Sequence, residues 1–184
     1  MRGLFLAIVI LFLFVFIFLA GIGSGLLLSG EHSFSSGDRV AILRVEDVII
    51  DSQIYLDSIE TISKDDKVKA LVVRIDSPGG AVGPSQEIFS ELKALGNELP
   101  IVASIGGVGA SGGYYIACAA EKIYANPGAI TGSIGVIAQF ASYEKLLNWA
   151  KIDVEVIKSG KYKDVGSAFR EMNKEDKQYI QQLI

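Results

Sequence analysis

The sequence predicts an α/β domain built on a mostly parallel sheet with flanking helices. Short runs rich in valine and isoleucine alternate along the chain with segments of helical apolar spacing. Strands of parallel sheets have this apolar character because helices cover them, and the connections between them are long enough to hold a helix. About 147 residues, Asp38–Ile184, follow an apolar N-terminal stretch. That length is enough for one domain with a sizeable core.

The strand signals are runs of β-branched and other apolar residues bounded by polar or turn residues. They are Val40–Val45, Ala70–Ile75, Ile101–Ile105, Ile123–Ala125 and Val154–Ile157. A strand, helix, strand order requires crossover connections, which are right-handed in nearly all proteins. These strands are therefore expected to lie in one sheet, with any active site at their carboxyl ends.

Helical signals lie between and after these strands. Pro84 can open a helix that ends before Gly96-Asn97. The apolar residues that recur on one side of it are Ile88, Leu92 and Leu95. A second helix should begin at Ser111. Residues 173–184 have a helical pattern without a stop signal, so we expect the domain to be incomplete at its C-terminus.

An apolar stretch opens the chain. After Arg2, residues 4–28 contain no charged side chain, which is long enough to cross a bilayer as a helix. The alternative is a cleaved signal peptide, but its apolar region usually has roughly 7 to 15 residues. The length therefore favours a retained transmembrane anchor over residues 1–28.

The charges around this stretch predict its orientation. Arg2 precedes it, whereas Glu31, Asp38 and Arg39 follow it, so the positive-inside rule places the N-terminus in the cytoplasm. The protein is then expected to be a single-pass protein of the cell membrane with an extracytoplasmic domain. Residues 29–37, rich in serine and glycine, are predicted to be a linker, and the domain to occupy residues 38–184.

Composition argues against two classes of function. The 17 basic and 21 acidic residues give a net charge of −4 without a basic stripe, so a nucleic-acid partner is not expected. The chain has one histidine, His32, one cysteine, Cys118, and no P-loop or dinucleotide fingerprint. Neither a metal nor another cofactor is expected. Cys118 lies among apolar residues and is predicted to be buried in the core.

Two glycine-containing motifs follow predicted strands at the expected active-site edge. They are Asp76-Ser77-Pro78-Gly79-Gly80 and Gly109-Ala110-Ser111-Gly112-Gly113. Each alone is typical of a tight turn into a helix, with Ser111 as the N-cap. Together they suit acyl transfer, because Ser111 can act as the nucleophile while the N–H groups of Gly80 and Gly112 form an oxyanion hole.

A nucleophilic Ser111 needs a base, and the histidine is badly placed for this role. His32 lies beside the predicted anchor, so a Ser-His-Asp triad is not expected. A desolvated lysine is the usual alternative. The residues alone do not decide which lysine acts.

The chain resembles the signal peptide peptidase A family, serine peptidases with a Clp/crotonase-like fold. Four segments occur in the order of that family: Asp76–Gly80, Gly109–Tyr115, Ile130–Val136 and Lys158–Asp164. The resemblance extends from Val40 to the end of the chain, and the family also has an N-terminal anchor. It implies a membrane-anchored serine endopeptidase that degrades remnant signal peptides and other hydrophobic peptides.

The resemblance also implies the remaining site residues. Lys163, 52 positions after Ser111, becomes the base of a Ser/Lys dyad, and Ser133 a residue that orients the lysine. Such a base must be desolvated to hold no proton at neutral pH. The family implies a homo-oligomer in which Lys163 can act in trans, on the serine of a neighbouring protomer.

Three alternatives stay open at this point. The chain can be a membrane-anchored scaffold that binds peptides without cutting them, or a related Clp-like membrane protease with other substrates. Crotonase-like acyl-CoA chemistry, which uses paired backbone N–H groups without a serine nucleophile, is the third. Retention of both Ser111 and Lys163 favours the peptidase. One departure from the family pattern is Ala168, where a proline is expected.

Overall fold

The computed structural model describes residues 15–17 and 37–184. The predicted anchor over residues 1–28 and the linker over residues 29–37 fall outside these residues, apart from 15–17 and 37. In the described part of the chain, no helix combines the length and apolar character needed to cross a bilayer. Residues 40–184 form one compact unit.

A five-stranded sheet forms the centre of this unit. Its strands are β1 Arg39–Glu46, β2 Val68–Ser77, β3 Ile101–Ala110, β4 Lys122–Ala125 and β5 Ile130–Gly132. The order is β1-β2-β3-β4, and β5 also pairs with β3. All three pairings of β3, with β2, β4 and β5, are parallel. The predicted parallel sheet is confirmed, and β5 is an addition to the predicted strands.

Within residues 40–184, five helices connect or follow the strands. They are α1 Gln53–Ser63, α2 Val82–Leu95, α3 Gly112–Ala117, α4 Glu144–Trp149 and α5 Lys174–Leu183. The helix predicted to open at Pro84 begins two residues earlier, and Ser111 is the N-cap of α3 as expected. The predicted C-terminal helix is present as α5, capped by Asn173.

The core lies between the sheet and helices α1, α2 and α3. Along β2, Leu71, Val73 and Ile75 are buried while the residues between them are partly exposed, as the period of a strand requires. The predicted helix stripe is buried against this face of the sheet through Ile88, Leu92 and Leu95. Each fully buried Leu or Ile contributes roughly 1.5 to 3 kcal/mol of transfer free energy.

The predicted strand Val154–Ile157 is wrong. Residues 152–158 have no strand pairing in the described structure, and the Ile157 side chain is 93% exposed. A β-rich sequence becomes a strand only where another backbone can satisfy its N–H and C=O groups. Within residues 37–184 no segment does so here.

The predicted burial of Cys118 is also wrong. Cys118 is exposed, directly after α3, whereas its neighbours Ile116 and Ala117 are buried. Successive residues of a helix point in directions about 100° apart, so a six-residue helix cannot bury its whole circumference against one sheet. Apolar neighbours in sequence therefore did not place the thiol in the core.

Candidate active site

Ser111 occupies a strained turn between β3 and α3. Its backbone has φ +50° and ψ −120°, which a residue with a side chain rarely adopts. Its N–H donates to the carbonyl oxygen of Gly132 at 2.8 Å, and its own carbonyl accepts from the N–H of Tyr115 at 2.8 Å. The same strand-to-helix device presents nucleophilic serines in other hydrolases.

The glycines around Ser111 are required by close packing. A Cβ on Gly113 would lie 2.7 Å from the carbonyl oxygen of Ser77, in β2. A Cβ on Gly79, which has φ +96°, would lie 2.8 Å from the Cβ of Ser111 and 2.6 Å from the nitrogen of Gly112. Real Cβ atoms do not come so close to backbone atoms. The motifs after β2 and β3 are therefore in direct contact, as the sequence predicted.

The backbone pairing around Gly80 directs its N–H away from Ile49. Ile49 donates to the carbonyl of Gly79 at 3.0 Å and accepts from the N–H of Ala81 at 2.7 Å. Alternate residues of an extended chain direct their N–H groups to opposite sides, so the N–H of Gly80 faces away from Ile49. That side is the side of β3, because β2 lies between β1 and β3.

The N–H of Gly112 is the first of α3, where no preceding helical turn offers an acceptor. Within residues 37–184, neither this group nor the N–H of Gly80 donates a hydrogen bond. The structure thus brings three predicted site residues together: Ser111, Gly80 and Gly112. Two unsatisfied donors next to a serine can bind an oxyanion.

Asp76 ties the two motif-bearing strand ends together. Its carboxylate accepts hydrogen bonds from the N–H of Gly107 at 3.3 Å and the N–H of Val108 at 3.0 Å. Two residues before Asp76 in β2, Arg74 donates to the hydroxyl of Ser104 in β3 at 3.0 Å. These side chains fix β2 relative to β3 immediately before the turns at Gly79 and Ser111. Both hydrogen bonds go to backbone N–H groups of β3, so Asp76 has a structural role at this strand end.

An apolar cleft of about 580 Å³ opens beside Ser111. Its walls come from α2, α3 and the segment after β5, and Phe89 and Tyr115 stack with their ring centroids 4.5 Å apart. The side chains that line it are Val82, Ser85, Gln86, Phe89, Tyr114, Tyr115, Cys118, Ile134 and Val136. The sequence did not identify the lining residues of α2 and α3, because their spacing does not differ from that of core residues.

Ser133 forms no hydrogen bond with Ser111 in the described structure. It follows β5 with φ +54°, and its side chain is exposed. The contact to the nucleophile comes from its neighbour Gly132, whose carbonyl oxygen accepts from the N–H of Ser111. The role of Ser133 in orienting the lysine stays a prediction.

Lys163 lies in the loop 158–164, away from the cleft. Its side chain is exposed, and within residues 37–184 its amine makes no hydrogen bond or ion pair. It does not line the cleft around Ser111. The burial expected for Lys163 as a base is therefore absent from the described chain. Its expected contact with Ser111 is absent as well.

The two neighbouring lysines are engaged elsewhere. Lys158 forms an ion pair with Asp164, and Lys161 forms one with Glu175 at 2.7 Å. The hydrogen bond to Glu175 raises the pKa of Lys161 above its ordinary value, so its amine stays protonated at neutral pH and cannot accept a proton. In the described residues of this loop, Lys163 is the lysine without a carboxylate partner.

Residues 93–184 match the sequence profile of peptidase family S49. This chain belongs to family S49. The match covers β3, Ser111, the β5 segment and the loop of Lys163. It confirms the resemblance stated from the motifs, because a signal peptide peptidase SppA is among the similar proteins.

Several curated proteins are similar to this S49 chain. A candidate protease of Synechocystis is 43% identical over 152 residues, 83% of this chain and 50% of that protein. A candidate protease of Methanocaldococcus jannaschii is 39% identical over 134 residues, 73% and 43% of the two chains. A candidate signal peptide peptidase SppA of Enterococcus faecium is 31% identical over 164 residues, 82% and 48%. The chain spans about half the length of these relatives.

The G-x-S-x-G spacing of Gly109, Ser111 and Gly113 is a further signal in the S49 sequence that points to a nucleophile. It could have identified the strained turn at Ser111 without a family resemblance. The same motif explains why the serine is accessible, since glycines on both sides leave its side chain uncrowded. No comparable local signal distinguishes Lys163 from Lys158 and Lys161.

Proposed function

We propose that this S49 chain is a membrane-anchored serine endopeptidase with a Ser111/Lys163 dyad, which degrades hydrophobic peptides such as remnant signal peptides. One observation carries the proposal. Ser111 stands in a strained turn at the mouth of an apolar cleft, beside the unpaired N–H groups of Gly80 and Gly112. A helix N-cap alone requires neither the strain nor the cleft.

The proposed reaction is acyl transfer in two steps. The neutral amine of Lys163 accepts the hydroxyl proton of Ser111 as Oγ attacks the peptide carbonyl, and the oxyanion binds the N–H groups of Gly80 and Gly112. The C–N bond then breaks, and the leaving amine takes the proton from Lys163. Water, deprotonated by the same lysine, hydrolyses the ester and frees Ser111.

A second copy of the chain is proposed to complete the site. A lysine that acts as a base must be desolvated, whereas Lys163 is exposed and unpaired in the described chain. A neighbouring protomer would bury it and bring it to Ser111. Apolar residues that are exposed in the same region support such an interface, including Ile134, Ile137 and Ile157.

The cleft determines the proposed substrate class. Its lining is mainly apolar, with the Phe89 and Tyr115 rings along one wall. An apolar side chain of an extended peptide would be desolvated there and hold its carbonyl near Ser111. A predicted anchor at residues 1–28 would keep the domain at the membrane surface, where released signal peptides are found. The Clp/crotonase-like architecture and the extracytoplasmic location belong to this proposal.

Active-site labelling tests the proposed function. The full-length protein is treated with a fluorophosphonate, and the adduct is mapped by mass spectrometry in wild type, Ser111→Ala and Lys163→Ala. Lys161→Ala is the matched control, because it removes a lysine two positions away that already has a carboxylate partner. We expect a Ser111 adduct in wild type and in the control, and none in the other two variants.

A peptide-binding scaffold is the second candidate function. The observation that favours it is the absence of contact between Lys163 and Ser111 within residues 37–184. A folded wild type that binds hydrophobic peptides in the cleft but takes no label at Ser111 would select the scaffold and exclude the peptidase. Labelling that persists in Lys163→Ala would instead remove Lys163 from the mechanism.

A further inference from the structure

Arg170 makes the most extensive set of ionic contacts near the loop of Lys163. Its guanidinium binds Asp164 through two bonds, Nε to Oδ2 at 2.9 Å and Nη2 to Oδ1 at 3.1 Å. Its Nη1 also donates to the carboxylate of Asp176. The two carboxylates are only 12% and 4% exposed. A bidentate contact of this kind fixes orientation as well as distance.

This contact attaches the loop to the start of α5. Asp176 closes a capping box with Asn173, whose side chain accepts from the N–H of Asp176 at 2.9 Å while its own N–H donates to that carboxylate at 3.2 Å. Asp176 is therefore held in place by the helix terminus. Through Arg170, it holds Asp164, the residue directly after Lys163.

A second contact attaches the loop on the other side of Lys163. The ring of Tyr162 stacks on the ring of Tyr179 in α5, with centroids 4.5 Å apart and planes 5° apart. The residues before and after Lys163 are thus both bound to the same helix. The backbone of Lys163 is fixed while its side chain is exposed and unpaired.

The charged side chains around the loop 158–164 and the start of α5 leave Lys163 without a carboxylate partner. They come from Glu144 and Lys145 on α4, from Lys158, Lys161 and Asp164 in the loop, and from Arg170, Glu171, Glu175 and Asp176 around the start of α5. Each of these carboxylates has a partner: Lys158 and Arg170 bind Asp164, Arg170 also binds Asp176, Lys161 binds Glu175, Lys145 binds Glu171, and the N–H of Glu171 donates to Glu144.

We propose that Arg170 is a positioning residue for Lys163: it fixes the loop to α5 and withholds the Asp164 carboxylate from the adjacent amine. The inference rests on the proposed role of Lys163 as the base. A carboxylate that pairs with an amine stabilises its protonated form, and a protonated lysine cannot accept the proton of Ser111. Arg170 and Lys158 together neutralise Asp164, so Lys163 stays available.

The test is the pH dependence of fluorophosphonate labelling at Ser111 in the full-length protein. In Arg170→Gln we expect labelling at pH 7 to fall about tenfold or more, and the pH of half-maximal labelling to rise by about one unit. The reason is that Lys158 still binds Oδ1 of Asp164, but Oδ2 loses its partner and can pair with Lys163. Adding Asp164→Asn to this variant should return the midpoint to the wild-type pH, although the rate stays reduced.

Two controls separate charge from loop order. Lys145→Gln removes a cation from the same face, but its side chain is 90% exposed and binds only Glu171, so rate and midpoint should stay as in wild type. Tyr179→Leu loosens the loop without a change of charge and should lower the rate at an unchanged midpoint. If Arg170→Gln does not fold, Arg170→Lys replaces it in the test. This variant keeps the positive charge but cannot bind the Asp164 carboxylate through two parallel hydrogen bonds.

The outcomes distinguish this inference from the proposed function. If wild type takes no label, or Lys163→Ala labels as fast as wild type, the proposed function fails and this inference with it. If labelling depends on Lys163 but Arg170→Gln keeps the wild-type midpoint, only the inference is overturned. A slower Arg170→Gln with that midpoint overturns it as well, because loss of loop order alone gives that result.

Discussion

Substitution of Gly113 by alanine tests whether the contact between α3 and β2 positions Ser111. The new Cβ would lie 2.7 Å from the carbonyl oxygen of Ser77, whereas ordinary contacts begin at 3.4 Å. Ser77 belongs to β2 and is held in the sheet by its pairing with Gly109 of β3, so α3 must move. The helix would have to shift by about 0.7 Å, the difference between these two distances.

A shift of this size has two separate costs. Overpacking of a buried site typically lowers the free energy of unfolding by about 1 to 3 kcal/mol. Since Ser111 is the N-cap of α3, its Oγ and the N–H of Gly112 move with the helix. A misplacement near 1 Å can reduce a rate about 100-fold. We therefore expect the labelling rate to fall far more than the loss of stability explains.

The assay measures the fluorophosphonate labelling rate at Ser111 and the free energy of unfolding in urea on the same samples. Gly128→Ala is the matched control, because a Cβ at Gly128 meets no atom within 4 Å. The control should label and unfold as wild type does. If Gly113→Ala also labels at the wild-type rate, the contact with β2 does not position the nucleophile, and our reading of the glycine motif is refuted.

Two further predictions concern the acidic pair and the exposed thiol. Hydrogen bonds from Arg170 lower the pKa values of Asp164 and Asp176 below their ordinary range, so their contribution to stability is complete at neutral pH and is lost as the pH falls below about 4. The melting temperature of wild type should then drop more steeply than that of Arg170→Gln between pH 5 and 3, and parallel curves would contradict this. Cys118 is exposed and lines the cleft. N-ethylmaleimide should therefore modify it and slow labelling of Ser111, with Cys118→Ser resistant; a modified protein that labels normally would show that the cleft does not lead to Ser111.

The sequence predicted those parts of the fold that depend on local patterns. Apolar runs gave the positions of β1 to β4, and the spacing of Ile88, Leu92 and Leu95 gave the buried stripe of α2. The turn motifs after β2 and β3 were expected to meet, because parallel strands end at the same edge of a sheet, and they do. Each strand, helix stripe and turn motif is decided by residues close together in the chain, and the meeting of the two motifs follows from the parallel sheet.

The failures depend on what lies beside a segment rather than on the segment itself. Val154–Ile157 has the composition of a strand but no backbone to pair with in residues 37–184. Cys118 has apolar neighbours, yet the short helix α3 turns it to the cleft. Lys163 was expected to be buried, and the described chain has no element that covers it. No local pattern in the sequence reports such long-range packing.

The branching of the sheet at β3 restricts where the chain can change in length. The first half of β3 pairs with β4, and its last residues pair with β5. Residues 126–129 connect β4 to β5, so they must cover the fixed distance along β3 between these two pairings. The carbonyl oxygen of Gly132, at the end of β5, holds the N–H of Ser111. One residue more or fewer in that connection would shift β5 and remove this acceptor from its place. Surface loops usually tolerate insertions and deletions, but the length of this one is constrained by Ser111, which lies 15 to 18 positions earlier in the chain.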